Sequence, residues 1–436
     1  MPAPAFDCDV IVIGGGPAGA TAAAWLARAG HSVWLFERDR FPRFHIGESL
    51  LASVNDVLTA IGADAVVRQA GFPQKWGATF MSADGHIERY ADFGAAPGVR
   101  APQTWQVDRA VFDDLLLRHA SSSGTKIHEQ HRIVDVAFDS DGVVATVQRK
   151  DETSRSDVRA RAVIDASGRG SVLSRKFNLR VDEPRLANIA LFSHYSGVPR
   201  QSGRRAGDIR IVARPDLGWF WLIPISEALT SVGVVLPGTE VRSRAADTTH
   251  LLDELIADTP VVAELLRNAR REWPMRVEKD FSFSARAYAG DRWLVAGDAG
   301  SFLDPVFSTG VAIALESGLE AAQAVSQGLA AGDLTVASFT RFARRQRQRY
   351  VSFRRFVLAF YTPEFRDLFF SEDPPRGMFR ALVTVFAGYW RPPAFTRLRV
   401  WLFFGLVRAQ RRFGFVTRFR AQQDHPAADQ TQERRD

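Results

Sequence analysis

The chain has 436 residues, 46% hydrophobic and 24% charged, with a formal net charge of +7. That length allows two or three domains around a large core, and the composition is that of a globular protein, not a low-complexity or fibrous one. The basic excess is mostly arginine, spread along the chain and densest after residue 340, with no zinc-finger or RNP signature, so no nucleic-acid partner is expected. No apolar run approaches the ~20 residues of a membrane span, and the N-terminus shows no signal-peptide pattern. Cys8 is the only cysteine, which excludes an intrachain disulfide and a cysteine-rich metal site. With no HExxH or clustered histidines either, no metal is expected, and the cysteine usage fits a cytoplasmic location.

The first element is a buried-strand pattern, Asp9-Val10-Ile11-Val12-Ile13, followed by Gly14, Gly16 and Gly19 at G-x-G-x-x-G spacing. Glycines there permit a tight turn, close backbone approach to a pyrophosphate and close helix packing. The Ala-rich stretch 20–29 continues as the helix, whose N-terminal N–H groups and dipole favour phosphate. A second strand pattern, Ser32 to Phe36, ends at Glu37, roughly 20 residues past the glycines, where a carboxylate can accept from ribose hydroxyls. A dinucleotide is expected; this motif alone does not choose between FAD and NAD.

Next come Phe41-Pro42-Arg43-Phe44-His45-Ile46-Gly47-Glu48-Ser49 and Lys75-Trp76-Gly77-Ala78-Thr79-Phe80. Lys75 is one of five lysines, with Lys126, Lys150, Lys176 and Lys279, in a chain that otherwise uses arginine. A guanidinium cannot replace an amine that must act as a compact donor, although most lysines, rare ones included, are surface groups. Val163 to Gly168 reads as a strand entering a glycine turn, and 187–194, 208–212 and 231–236 as antiparallel strands. Trp219-Phe220-Trp221-Leu222-Ile223-Pro224 places indoles at alternate positions, which taken alone also fits a core strand. Strand-like 292–295 leads into Ala296-Gly297-Asp298-Ala299-Gly300, and Phe302 to Gly310 runs into a helix over 311–325. After residue 335, Arg and Phe recur at helical spacing, and 341–360, 378–390 and 398–413 read as basic amphipathic helices. Such helices cover a core or the mouth of a site; contact with a membrane surface is the sharper reading.

The expected architecture is α/β: a discontinuous Rossmann-type module from residues 1–74, 103–176 and 280–335, an antiparallel substrate sheet from 75–102 and 177–279, a helical C-terminal region over 336–420, and a disordered tail over 421–436.

As a set, the glycine turn, Glu37, Gln106-Val107-Asp108-Arg109 and the Asp298 segment resemble the FAD enzymes built like p-hydroxybenzoate hydroxylase, over about residues 6 to 335. That resemblance selects FAD and implies that Gly14, Gly16, Ala18, Gly19, Glu37, Arg43, Ser49, Gln106, Arg109 and Asp298 hold it. Within this setting, Trp219-x-Trp221-x-Ile223-Pro224 is similar at every fixed position to the pattern of the flavin-dependent halogenases. Two indoles beside the flavin would keep an organic substrate away from it and block direct oxygen transfer.

The halogenase resemblance implies a halide held at Ser308, Thr309 and Gly310, where backbone N–H groups open a helix, and an essential lysine at Lys75. It further implies that FADH2 and oxygen give a flavin C4a-hydroperoxide, that chloride attacks its distal oxygen, and that the hypochlorous acid formed passes to Lys75, which presents electrophilic chlorine to an electron-rich ring. One G-x-G-x-x-G suggests that FADH2 comes from a separate flavin reductase. Phe307 stands where halogenases of free tryptophan carry a glutamate, so this chain looks like the halogenases of phenol, pyrrole and polyketide pathways, acting on a small aromatic that is free or borne by an acyl or peptidyl carrier protein. His45, Glu48 and His194 are candidate bases or satisfied structural residues. A prenyl or geranylgeranyl reductase, an FAD-dependent aromatic hydroxylase and a non-catalytic flavin-binding protein share parts of these patterns.

Overall fold

A computed structural model describes residues 6–244, 250–371 and 376–419; the tail expected to be disordered lies outside the described residues. The apolar run at the start forms the strand Cys8–Ile13, buried except at half-buried Asp9 and flanked by two parallel partners, Val33–Glu37 and Arg155–Asp165. Lys126–Glu129 extends the sheet in parallel on one side, and Trp293–Val295 on the other. Val33–Glu37 follows through the first helix while Arg155–Asp165 enters from far along the chain, so the strand order reverses at Cys8–Ile13, at whose carboxyl end α/β sheets open a crevice. The turn in that crevice is sterically demanding: Gly14 has φ +100°, and a Cβ on Gly19 would stand 1.8 Å from the Gly14 carbonyl oxygen. The helices Pro17–Arg28 and Thr309–Ala331 press together just behind, and a Cβ on Gly318 would lie 2.2 Å from the Ala18 carbonyl oxygen.

The second sheet runs in the order Ser301–Phe302, Arg276–Ala285, Arg180–Ser196, Leu229–Pro237, Trp219–Pro224, Ile209–Ala213, Gly77–Ser82, Glu88–Asp92. Its pairs are antiparallel as expected, with one exception: Ile209–Ala213 and Gly77–Ser82 are parallel. These two strands are separated by most of the first sheet's chain, so no hairpin turn dictates their direction. The period-two pattern of Trp219–Pro224 divides its side chains. Trp219, Trp221 and Ile223 join the main core, whereas Phe220 and Leu222 pack beneath two helices the sequence reading did not anticipate, Leu251–Ala257 and Pro260–Leu266.

The C-terminal helices form where arginine and phenylalanine alternate at helical spacing: Thr340–Phe360, Arg376–Phe386 and Ala394–Phe413, with the short Pro363–Phe369 between them. Their phenylalanines interlock. Phe356 meets Phe386 and Phe404 edge-on, and Phe365 meets Phe403 likewise. Buried Arg349 ties this layer to Thr309–Ala331 through Glu316 at 3.0 Å and Glu320 at 2.8 Å. Among the described residues, no helix is long and apolar enough to cross a membrane.

Candidate functional site

A cavity of about 620 Å³ runs from the glycine turn to the second sheet. Gly14, Gly16, Ala18, Glu37, Arg43, Ser49, Arg109 and Asp298 line it, as do Trp219, Trp221, Ser308 and Gly310. Residues far apart in the sequence thus converge on one space. At one end, Gly16 opens the helix Pro17–Arg28, and a Cβ there would meet only the Arg43 guanidinium at 3.5 Å. Glu37 accepts from Gly15 N at 2.7 Å and Asp39 N at 2.8 Å, so the acid placed at the strand end also braces the turn. Arg109 grips Asp113 with two hydrogen bonds of 2.8 Å and donates to the Ile46 carbonyl at 2.7 Å, holding segment 44–49 along the wall. Burial pushes the Asp298 carboxyl up to about 6, against the lowering effect of Arg169 and Arg109.

Not every expected residue reaches the cavity wall. Gly19 serves the packing behind the turn. Gln106 is fully buried and donates to the Gly207 carbonyl at 2.9 Å, away from the cavity. Thr309 is buried as the first residue of Thr309–Ala331, between the lining residues Ser308 and Gly310. The helix's first N–H groups therefore open beside the cavity, and a Cβ on Gly310 would meet nothing within 4 Å.

The far wall carries the two indoles, whose ring centroids are 5.9 Å apart. Trp221 Nε1 donates to Ser231 Oγ at 3.1 Å. Trp219 Nε1 donates to Tyr361 Oη at 2.8 Å, and that hydroxyl donates to Asp304 at 2.7 Å, so a residue just beyond helix Thr340–Phe360 orients the indole. Sequence patterns carried no signal for Tyr361.

Lys75 is 1% exposed, which removes the reading of it as a surface lysine. Its amine donates to Ser49 Oγ and to the Leu50 carbonyl, each at 2.8 Å. Burial pushes its pKa down to about 7, with the Asp208 carboxylate acting the other way. It borders a second, much smaller cavity of about 10 Å³, room for about one water. Apart from Lys75 and Ser308 the walls there are apolar, including Phe80, Phe93, Phe307 and Phe386. Ser308 and Ile209 line both cavities and so form their common wall. Phe307 and Phe386 stack at 4.4 Å, which makes the C-terminal helices part of the small cavity's enclosure.

Of the candidate bases, His45 and Glu48 line the large cavity. Burial pushes the His45 imidazole down to about 4, so it is a weak proton acceptor at neutral pH. His194 lies 3.0 Å from Glu48, with both side chains buried.

Fold and groove together define a Rossmann-type FAD-binding protein, and residues 7–350 match the family described as FAD binding domain. The chain is 33% identical over 389 residues to the 1H-pyrrole-2-carbonyl-[peptidyl-carrier protein] chlorinase of Pseudomonas fluorescens, covering 84% of this chain and 86% of that protein. A flavoprotein/dehydrogenase structure from Cytophaga hutchinsonii superposes with a TM-score of 0.85 at 30% identity, covering 93% of this chain and 99% of the other. The flavin-dependent brominase Bmp2 superposes with a TM-score of 0.78 at 29% identity, covering 91% and 99%. The chain belongs to the flavin-dependent halogenases, and its cofactor is FAD.

Proposed function

We propose that this enzyme chlorinates an electron-rich ring of the pyrrole or phenol type, free or tethered to an acyl or peptidyl carrier protein, in the cytoplasm, with FADH2 supplied by a separate flavin reductase. The observation that carries this reading is the buried Lys75 amine in an apolar cavity that shares Ser308 and Ile209 with the flavin groove. Bound reduced FAD supplies the electrons and the place where oxygen is activated. The chain's residues do the rest. Gly14, Gly16, Arg43 and Arg109 hold the dinucleotide, and the N–H groups at Ser308–Gly310 favour a halide at its far end. Trp219 and Trp221 fill the space an organic ring would need to reach the flavin. Hypochlorous acid is small enough to pass the common wall at Ser308 and Ile209 that an aromatic cannot. Lys75, with its pKa near neutrality, receives it as a hydrogen-bond donor or as a neutral amine that takes the chlorine, the O–Cl bond breaking and the hydroxyl leaving as water with an amine proton.

Similarity to a chlorinase of a pyrrole-loaded carrier supports the tethered form, and similarity to a brominase keeps bromide in the test. Incubation with FAD, a flavin reductase, NADH, chloride or bromide, and free and carrier-loaded pyrroles and phenols, followed by mass spectrometry, should show a chlorine isotope pattern. Oxygenated product with NADPH alone would assign a hydroxylase. Halide-independent reduction of a prenyl chain would assign a reductase.

A further inference from the structure

Asp208 belongs to no motif for flavin or halide, and it is 2% exposed. Its carboxylate accepts from Trp76 N at 2.6 Å, Gly77 N at 3.0 Å and Tyr90 Oη at 2.9 Å. The two amides directly follow Lys75, so one carboxylate fixes the point where the chain leaves Gln74–Lys75 and enters Gly77–Ser82. The contact is close on both sides. A Cβ on Gly207 would stand 2.1 Å from the Gln74 carbonyl oxygen, and Gln106 holds this loop by donating to the Gly207 carbonyl while its own N–H donates to Pro73. Gln106 therefore serves the lysine strand.

The Lys75 amine faces the Ser49 hydroxyl, the Leu50 carbonyl and, at 5.3 Å, the ring of Phe93. Burial chiefly loosens its proton and the Asp208 carboxylate acts the other way, while burial pushes the Asp208 carboxyl itself up against the lowering effect of the Trp76 and Gly77 amides, Tyr90 and Lys75. Around Asp208 stand Tyr90, Arg204, which lies over the Trp76 ring and pairs with Asp92, and Arg205, which lies over the Tyr90 ring and pairs with Glu88. Both arginines thus have carboxylates of their own.

We propose that Asp208 is a positioning residue for the lysine chemistry: it pins the backbone from Lys75 to Gly77 and stands as the countercharge to the Lys75 amine. This rests on the role given to Lys75 above, but its main test does not. With lysine labelled at 13Cε, five signals are expected, and Lys75→Met identifies the Lys75 one. Asp208→Asn keeps an acceptor oxygen and removes the charge. In the FAD-bound protein it should lower the Lys75 titration midpoint by about half a unit or more, leaving the other four lysines unmoved. An unchanged midpoint in a folded variant overturns the proposal. Should that variant not fold, Lys75→Met offers the reciprocal reading: the Asp208 carboxyl midpoint should rise, and no rise overturns the proposal equally. The pH limb of the chlorination rate governed by Lys75 should move with the midpoint. A midpoint that moves while the rate profile stays fixed upholds Asp208 as the countercharge and removes Lys75 from the chemistry.

Discussion

An ammonium enclosed by Leu51, Phe80 and Phe93 is costly, and its pKa near 7 expresses that cost. Between about 7 and the ordinary 10.5, the unfolded chain binds the lysine proton and the folded chain does not. The penalty is therefore present in full below pH 7 and fades as pH rises through 10.5. Lys75→Met keeps the bulk without the charge. It should raise the melting temperature at pH 6 by a few degrees or more, and the advantage should shrink by pH 10. Melts showing the same difference at both pH values would exclude the amine as its source. Chemistry is tested separately by Lys75→Arg, which retains charge but not the compact amine. It should still bind FAD and consume oxygen while chlorinated product falls by about 100-fold or more. Near-normal product would return Lys75 to a structural role.

The strand Trp219–Pro224 shows how an element, not a residue, builds the indole wall. Its partner Leu229–Pro237 places Gly233 opposite Trp221, and only a glycine leaves room for the indole. A Cβ there would stand 2.2 Å from Trp221 Cζ2 and 2.5 Å from Phe192 Cβ. Gly233→Ala should accordingly destabilise the protein by about 1–3 kcal/mol and shift Trp221. The expected readouts are a lowered denaturation midpoint, altered tryptophan fluorescence and, in the halogenase assay, more oxidant lost as hypochlorous acid or peroxide per chlorinated product. Unchanged partitioning with a displaced indole would show that Trp221 does not direct the oxidant.

At the scale of the molecule, the large cavity is the seam between two sheets, so a cofactor bound there and the fold would stabilise each other. FAD that binds only the folded state adds about 2.7 kcal/mol when present at 100 times its dissociation constant. Gly16→Val would put a branched side chain into the groove beside Arg43. Without FAD, wild type and variant should unfold within about 0.5 kcal/mol of each other. With FAD, only the wild type should gain. Equal gains would remove the pyrophosphate from the glycine turn. The helix Ala394–Phe413 meanwhile leaves Phe395, Leu398 and Trp401 half or more exposed among arginines.

The readable parts of this protein were those written within short stretches of chain. The glycine turn needs a strand, three glycines and a helix inside one βαβ unit, and its sterics follow from the residues themselves. Alternating Trp219 and Trp221 set one face of a strand, and Ser308–Gly310 open a helix whose residues follow at once. What local patterns could not carry was partnership across the chain. Lys75 reads equally as a surface lysine until Leu50 and Ser49, about 25 residues away, and Asp208, more than 130 away, close around it. Gln106 sits in a segment that resembles cofactor-binding sequence, yet its side chain is drawn to Gly207. Tyr361 reaches Trp219 across 142 residues. Periodicity dictates which face of an element is apolar; only the packing of whole sheets and helices decides which buried polar groups meet, because each such group must find a donor or acceptor wherever the fold supplies one.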